Sequence, residues 1–343
     1  MGNDTSSGRA IGTSHSRRFG RKCVQYILVL FIALTINFAL PRLAPGDPLI
    51  YFMGQEVNTL TADQRQRMNQ ELGLDRTLWE QYTDFMVGAV SLELGSSTKF
   101  GKPVKDVLME RLPWTLLLVL PAFVLSALIG MACGAYAAWN RGKRRDVALL
   151  TSMLALESLP GFWLGMLLIA VFAVNLGWLP SYGAVPLVHN GGADYVIEVI
   201  RRLILPVTTI TLATVGANFL LTRSSMLNTL GQDYMFMAEA KGVGRRNLIY
   251  RHALRNALLP VYTHVTLGLG TLVSGAVVVE TVFSYPGIGR LLYESVIARD
   301  FPMMQGVFLL ITVGVIAANL LADLTYPFID PRARYFKPGE GSA

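Results

Sequence analysis

Six runs of predominantly apolar residues, at about 23–41, 114–138, 147–176, 205–222, 257–283 and 303–327, constrain this chain more than any other feature. Each is long enough for an α-helix to cross a hydrocarbon core, which takes about 20 residues at 1.5 Å rise per residue. Sheet strands do not account for them, because strands are shorter and these runs lack strict alternation of polarity. Composition agrees: only 15% of the residues are charged and 52% are hydrophobic, against about one quarter charged in soluble domains. The expected fold is an all-α integral membrane bundle of six spans.

Lysine and arginine gather on cytoplasmic loops. With the N-terminus inside, segments 1–22, 139–146, 223–256 and 328–343 hold 18 of them, while the longer outside segments 42–113, 177–204 and 284–302 hold 12. With acidic residues included, the inside nets +12 and the outside −2. Both termini are therefore expected in the cytoplasm. Residues 1–22 read as a flexible tail, too poor in large apolar side chains to offset ordering entropy. The run at 23–41 follows Arg17, Arg18, Arg21 and Lys22; it reads as a retained first span, with a cleaved signal peptide as the alternative.

Residues 42–113 form too long a connection for a tight loop and are expected to be an extracytoplasmic lobe. Thr61 and Gln64 have capping-box spacing, a second helix fits Leu78–Val90, and Gly101-Lys-Pro103 starts a third. Residues 114–336 are the five-span core, with the largest cytoplasmic loop at 223–256, and 337–343 are a C-terminal tail. Contact between the lobe and an outer partner, or simple capping of the bundle, both fit.

The net charge of +7 does not indicate nucleic acid, because the basic residues flank apolar runs. Cys23 and Cys133 show no CxxC spacing, and His15, His189, His252 and His264 have no metal-ligand or catalytic grouping. No G-x-x-x-x-G-K-[ST] loop, H-E-x-x-H or G-x-S-x-G is found. The chain is therefore expected to carry no cofactor and to be no enzyme. Energy for uphill transport must come from a gradient or from another subunit.

Two features remain as candidate sites. In the 223–256 loop, Gln232–Lys241 favours helix, Gly242 sits where a left-handed stop is needed, and Gly244 allows a second sharp change before Arg245 starts another helix. Such a knob is either a solvated loop or a docking element. Glu157, Glu280 and Asp323 lie inside the expected spans, where a charge costs about 2.5–3.5 kcal/mol on insertion scales, so each should face protein or water. Glu157 is expected about 15 Å into the third span, Glu280 near the outer end of the fifth, and Asp323 near the inner end of the sixth. Each is either a buried hydrogen-bonded carboxyl or a group on a path. Pro160-Gly161 would free backbone carbonyls one turn after Glu157.

The loop sequence Ala238-Glu-Ala-Lys-Gly242 resembles the coupling segment of ABC importer permeases, in the form found in peptide permeases. Arg42-Leu-Ala-Pro-Gly-Asp-Pro48, Leu72-Gly-Leu-Asp75, Gly101-Lys-Pro-Val104, Ser158-Leu-Pro-Gly-Phe-Trp-Leu-Gly165 and Leu176-Gly-Trp-Leu-Pro180 resemble the B-type permease subunit of dipeptide and oligopeptide importers. Val277-Val-Val-Glu-Thr-Val-Phe283, Pro286-Gly-Ile-Gly289 and Asp330-Pro-Arg-x-Arg-Tyr335 continue the match, which covers residues 20–336 in order. One departure is the Leu-Pro pair that the wider importer pattern places thirteen residues after the loop glycine: Arg255 stands there, and Pro260 lies further on.

The resemblance implies a bacterial inner-membrane machine. This chain would pair with a second homologous permease, two cytoplasmic ATPase domains that hold ATP and Mg, and an extracytoplasmic solute-binding protein, all within membrane lipid. Ala238, Glu239, Ala240, Lys241, Gly242, Gly244, Arg245, Arg246 and His252 would form the ATPase-coupling element. Glu157, Pro160 and Glu280 are candidates for the translocation path. Di- or oligopeptides are the implied cargo; oligosaccharides, nickel or another small solute are the alternative, and a gradient-driven secondary transporter a more distant one.

Overall fold

The computed structural model describes residues 7–43, 49, 57, 59–71, 74–185, 191–244 and 247–329. Arg245, Arg246, Leu72, Gly73, the part of the Arg42–Pro48 motif after Leu43, the motif Asp330–Tyr335 and the tail 337–343 lie outside them. In chain order the helices are α1 (Ser7–Leu43), α2 (Ala62–Glu71), α3 (Leu78–Ser91), α4 (Val104–Trp139), α5 (Arg144–Glu157) and α6 (Gly161–Leu168). There follow a π-wound stretch (Ile169–Asn175), α7 (Gly192–Leu230), α8 (Asp233–Ala240), a second π-wound stretch (Leu248–Ala253), α9 (Leu254–Val282), α10 (Ile288–Ala298) and α11 (Phe301–Ile329).

Among the described residues, Gly20–Ala39, Val104–Trp139, Gly192–Leu230 and Phe301–Thr325 are long and apolar enough to cross a membrane. A fifth joins them if the bent pair Arg144–Glu157 and Gly161–Asn175 is one span. Three expectations need correction. Helix α1 starts at Ser7, so most of the stretch read as a flexible tail is helical; no proline interrupts the chain from Ser7 to Pro41. The run at 147–176 is not one straight helix but two, bent by 100°. Its break falls at Ser158–Pro160, where Pro160 lacks the N–H that a continuing helix needs and disfavours helical geometry at Leu159. The second helix expected to begin at Arg245 is not separate either, since Leu248–Ala253 runs directly into α9.

The chain divides into two compact units. The first joins Met1–Val107 to Ser295–Ile316. Its short helices form where capping residues stand. Thr61 N–H donates to Gln64 Oε1 (2.9 Å) and Gln64 N–H to Thr61 Oγ1 (3.4 Å), starting α2. Thr77 and Glu80 form the same reciprocal box at the start of α3 (2.9 and 3.3 Å). The Thr77 amide and hydroxyl hold the Glu80 carboxyl below its ordinary range, so this box is complete at neutral pH and is lost as acid protonates Glu80. Helix α3 buries Ala89 with Leu34 and Leu309, flanked by Leu30, Phe85 and Met86. Tyr82 meets the Phe38 ring edge-on at 5.2 Å, and Arg42 lies over the same ring while donating to Gln81 Oε1 (2.9 Å). Buried Asp300 caps α11 through Met303 N–H (3.1 Å) and also accepts from Lys99 N–H (3.1 Å) and the Ser97 hydroxyl.

The second unit joins Leu108–Glu294 to Ala317–Ala343. Its core at one level is Leu118, Ala122, Leu205, Ile210, Val279, Phe283 and Tyr285. Two glycines of α4 bring it against α7 at backbone distance. A Cβ on Gly134 would stand 2.7 Å from the Phe219 carbonyl oxygen, and one on Gly130 would stand 2.6 Å from Asn218 Cβ. This is the small-residue contact that lets helices associate without a hydrophobic driving force between them.

Candidate functional site

The loop between α7 and α9 builds its knob from local rules. Helix α8 ends in a Schellman motif: Val243 N–H donates to Ala238 C=O (3.2 Å) and Gly242 N–H to Glu239 C=O (2.9 Å). Gly242 has φ +76°, the left-handed value this motif requires at that position. Ala238 and Val243, the residues such a motif pairs apolarly, both pack on a core of Ala135, Ala138, Met226, Met235 and Leu248. Gly244 does not take a left-handed φ, and its carbonyl accepts from Leu248 N–H (3.1 Å). The expected second change before Arg245 falls on Arg245 and Arg246, which lie outside the described residues.

Met235 points into the core while the opposite face of α8 is bare. Phe236 and Met237 are 62% and 61% exposed, and Tyr234 is exposed with its hydroxyl held by Asn256 Nδ2 (2.9 Å). Glu239, Ala240 and Lys241 are exposed, Ala238 and His252 are half-buried, and the His252 carbonyl accepts from Asn256 Nδ2 (3.1 Å). The arrangement is a short rigid helix, anchored on one side and offering two large apolar side chains beside charged ones on the other. That is the chemistry of a protein-docking surface.

Glu157 ends α5, immediately before the bend, and is exposed. The expected depth assumed a straight helix, so it does not carry over. The Glu157 side chain lies over Gly216 of α7, where a Cβ would come within 2.7 Å of its carboxylate oxygen. Pro160 is the residue before α6, with extended ψ of 134°. Together, Glu157 and Pro160 mark the break between α5 and α6.

Glu280 is not near water. It is completely buried, accepting from Thr115 Oγ1 (2.8 Å) and Arg290 N–H (3.0 Å), while Thr115 Oγ1 accepts from Ile288 N–H (2.7 Å). Its carboxylate caps the start of α10, an arrangement favoured by the helix dipole and unpaired N–H groups there. Gly287 must lack a side chain, because a Cβ would fall 2.2 Å from the Glu280 carboxylate. The Pro286-Gly-Ile-Gly289 motif is thus the seat for this carboxylate, which is fully buried among the described residues. Tyr285 is buried nearby, its ring edge-on to Trp114 at 6.2 Å, and its hydroxyl has no partner among the described residues. Burial, and secondarily the charge of Glu280, pushes its phenol above the ordinary value.

One ion pair escaped the sequence reading. Arg223, at the expected start of the cytoplasmic loop, makes a two-point contact with Asp146 (2.7 and 2.9 Å), and Asp146 also accepts from Gly142 N–H (3.0 Å). The pair ties the α4–α5 turn to the far end of α7. The contact at Gly130 and Gly134, in contrast, had a readable signal in the G-x-x-x-G spacing.

Comparison with known proteins bears on this geometry. The family described as binding-protein-dependent transport system inner membrane component matches residues 130–335, and its N-terminal counterpart matches residues 17–119. A protein of Brucella abortus (strain 2308), named for a peptide transport system permease, is 36% identical over 315 residues, 92% of this chain and 98% of its own length. The glutathione transport system permease protein GsiC of Escherichia coli (strain K12) is 37% identical with the same coverage, and that of strain CFT073 is 38% identical.

Proposed function

We propose a function from one premise: the chain belongs to the family of binding-protein-dependent transport system inner membrane components. It is an ABC importer permease subunit for peptide-type cargo. Its relatives are named for peptide and for glutathione transport, and glutathione is itself a tripeptide. Di- or oligopeptides are the cargo we propose. Six spans, with both termini cytoplasmic and 42–113 on the outer side, are the topology we propose for it. Cysteines placed at the exposed Ser96 and Thr61 would then react with an impermeant thiol reagent from outside; labelling only after the membrane is opened would reverse the topology.

The observation that carries the mechanism is α8, fixed by its Schellman stop and by Met235 while Phe236 and Met237 stay bare. In the mechanism we propose, this face seats on one of two cytoplasmic ATPase subunits, which hold ATP and Mg. A second homologous permease completes the path, and a solute-binding protein delivers cargo from outside. ATP binding favours one of two bundle states, and a rigid knob carries that bias to the spans. Reconstituted uptake should require the ATPase partner and survive collapse of the proton gradient; gradient-dependent uptake without an ATPase would refute the reading.

Glu157 at the α5–α6 break is our candidate for meeting the protonated amine of a passing peptide, since a carboxylate there offsets that charge in a poorly solvated passage. Glu157→Gln should lower uptake of a peptide more than uptake of its N-acetylated form at matched protein level. An equal fall in both assigns Glu157 to packing on Gly216.

A further inference from the structure

Ser126 of α4, Thr214 and Asn218 of α7 and His264 of α9 line a cavity of about 260 Å³ within the second unit, together with Phe123, Val265 and neighbouring small residues. The polar groups are tied into one network except at one side. Thr214 Oγ1 lies 2.8 Å from both Ser126 Oγ and the Ile210 carbonyl oxygen. Asn218 Nδ2 donates to Ser126 Oγ (2.9 Å) and to the Thr214 carbonyl (3.5 Å). Both amide hydrogens of Asn218 are thereby turned toward the protein. Its side-chain carbonyl oxygen accepts from no described residue, and the exposed imidazole of His264 has no hydrogen-bond partner among the described residues.

These groups sit in the middle of runs that are otherwise apolar. An ionisable side chain on a spanning helix is costly toward lipid and is found facing water or protein. The network is prepaid in structural terms: Ser126 and Thr214 hold Asn218 in one orientation, so its free oxygen is aimed without further loss of side-chain entropy. The cavity is smaller than the roughly 300–1,000 Å³ of a site that encloses a whole drug-sized ligand, so it suits contact with one portion of a solute in passage. An acceptor oxygen beside an imidazole, which both donates and accepts, matches the N–H and C=O of a peptide unit.

We propose that Asn218 and His264, oriented by Ser126 and Thr214, form a polar station that hydrogen-bonds a main-chain amide of the peptide as it crosses. This rests on the reading of the chain as a peptide importer permease. It adds a contact that recognises the peptide backbone and not its side chains. The contact is also weak enough to release, being worth one or two hydrogen bonds.

The test uses the assembled transporter in proteoliposomes, with ATP-driven uptake of a peptide compared with the same peptide N-methylated at one peptide bond. The binding protein's own preference is common to all variants and cancels in the ratio. Wild type should favour the parent peptide over the methylated one, beyond that common preference, by about two- to tenfold, the worth of one net hydrogen bond. His264→Leu should erase that extra discrimination and slow the parent peptide by a similar factor, with His264→Gln restoring both. Asn218→Leu should act likewise; the His264 side chain has no hydrogen-bond partner among the described residues, so its variants keep the test open if Asn218→Leu fails to insert. Unchanged discrimination in His264→Leu would overturn the station. Wild-type protein that takes up neither peptide with ATP would overturn the peptide-importer reading and the station with it.

Discussion

Replacing Gly242 isolates the knob from everything else in the protein. Nothing lies within 4 Å of a Cβ built at this position, so alanine meets no clash, and the only penalty is the left-handed φ of +76°. For an L-residue that penalty is about 1–2 kcal/mol, which moves a local equilibrium roughly 5–30-fold. The cap that loses it is the one fixing Ala238 and Val243 on their shared core. Gly242→Ala should therefore leave insertion intact, loosen α8 and lower peptide transported per ATP hydrolysed. Valine, stiff at χ1, should do so more strongly. Gly242→Asn should recover much of the loss, since asparagine tolerates the left-handed region. Gly244 is the internal control: it has open space and no left-handed φ, so Gly244→Ala should couple like wild type. Hydrolysis and uptake measured on the same proteoliposomes give the ratio. Equal coupling in Gly242→Val and wild type, or equal defects in Gly242→Ala and Gly244→Ala, would refute the reasoning.

Asp146→Leu should destabilise the protein by about 1–3 kcal/mol, less than for a fully buried pair because Arg223 is partly exposed, whereas the double variant with Arg223→Leu should recover most of that, read by thermal unfolding of each. Gly134→Ala should cost about 1–3 kcal/mol, because the 2.7 Å approach is to backbone that cannot move aside as a side chain would; unchanged thermal stability would show that the α4–α7 contact is looser than described. Tyr285→Phe should raise stability, by up to about 1–3 kcal/mol, since it removes a buried hydroxyl that has no partner among the described residues; a lower melting temperature would reveal one.

What the sequence made legible was local. Thr61 with Gln64, and Gly242 at a helix end, are readable because both members of each interaction lie within six residues of each other. The apolar runs located the long helices but not their direction. Hydropathy is the same on both sides of Pro160, so a 100° bend looked like one span. Glu280 was seen as an acid in an apolar run and placed near water, while its partner Thr115 is 165 residues away and no local pattern links them. The Asp146–Arg223 pair spans 77 residues and appeared only as members of two basic loops. The family resemblance carried the functional reading past these gaps, because its motifs hold their order along the chain while their contacts are made across it.

In the mechanism proposed above, these long-range contacts decide whether a push on α8 can reach the spans at all. Met235 and Leu248 share a core with Ala135 and Ala138 of α4 and Met226 of α7, so the knob grips two long helices at once. One turn further along α4, Gly134 lies on the backbone at Phe219 and Arg223, and another turn on, Gly130 lies on the backbone at Asn218 and Phe219. Ser126 follows, joined to Thr214 and Asn218 at the cavity. From Ala138 to Ser126 is twelve residues, or about 18 Å of helix, and contacts recur along it. Side chains between two helices can repack and absorb a displacement, but backbone resting on backbone has nothing to repack. Helices α4 and α7 should therefore move as one body, with the knob at one end and the polar station toward the other. Packed contacts of this kind switch between discrete arrangements and do not deform continuously. Gly134→Ala then acts on more than stability: by holding α4 off α7 between the knob and the cavity, it should lower transport per ATP hydrolysed even where the protein stays folded and α8 keeps its cap.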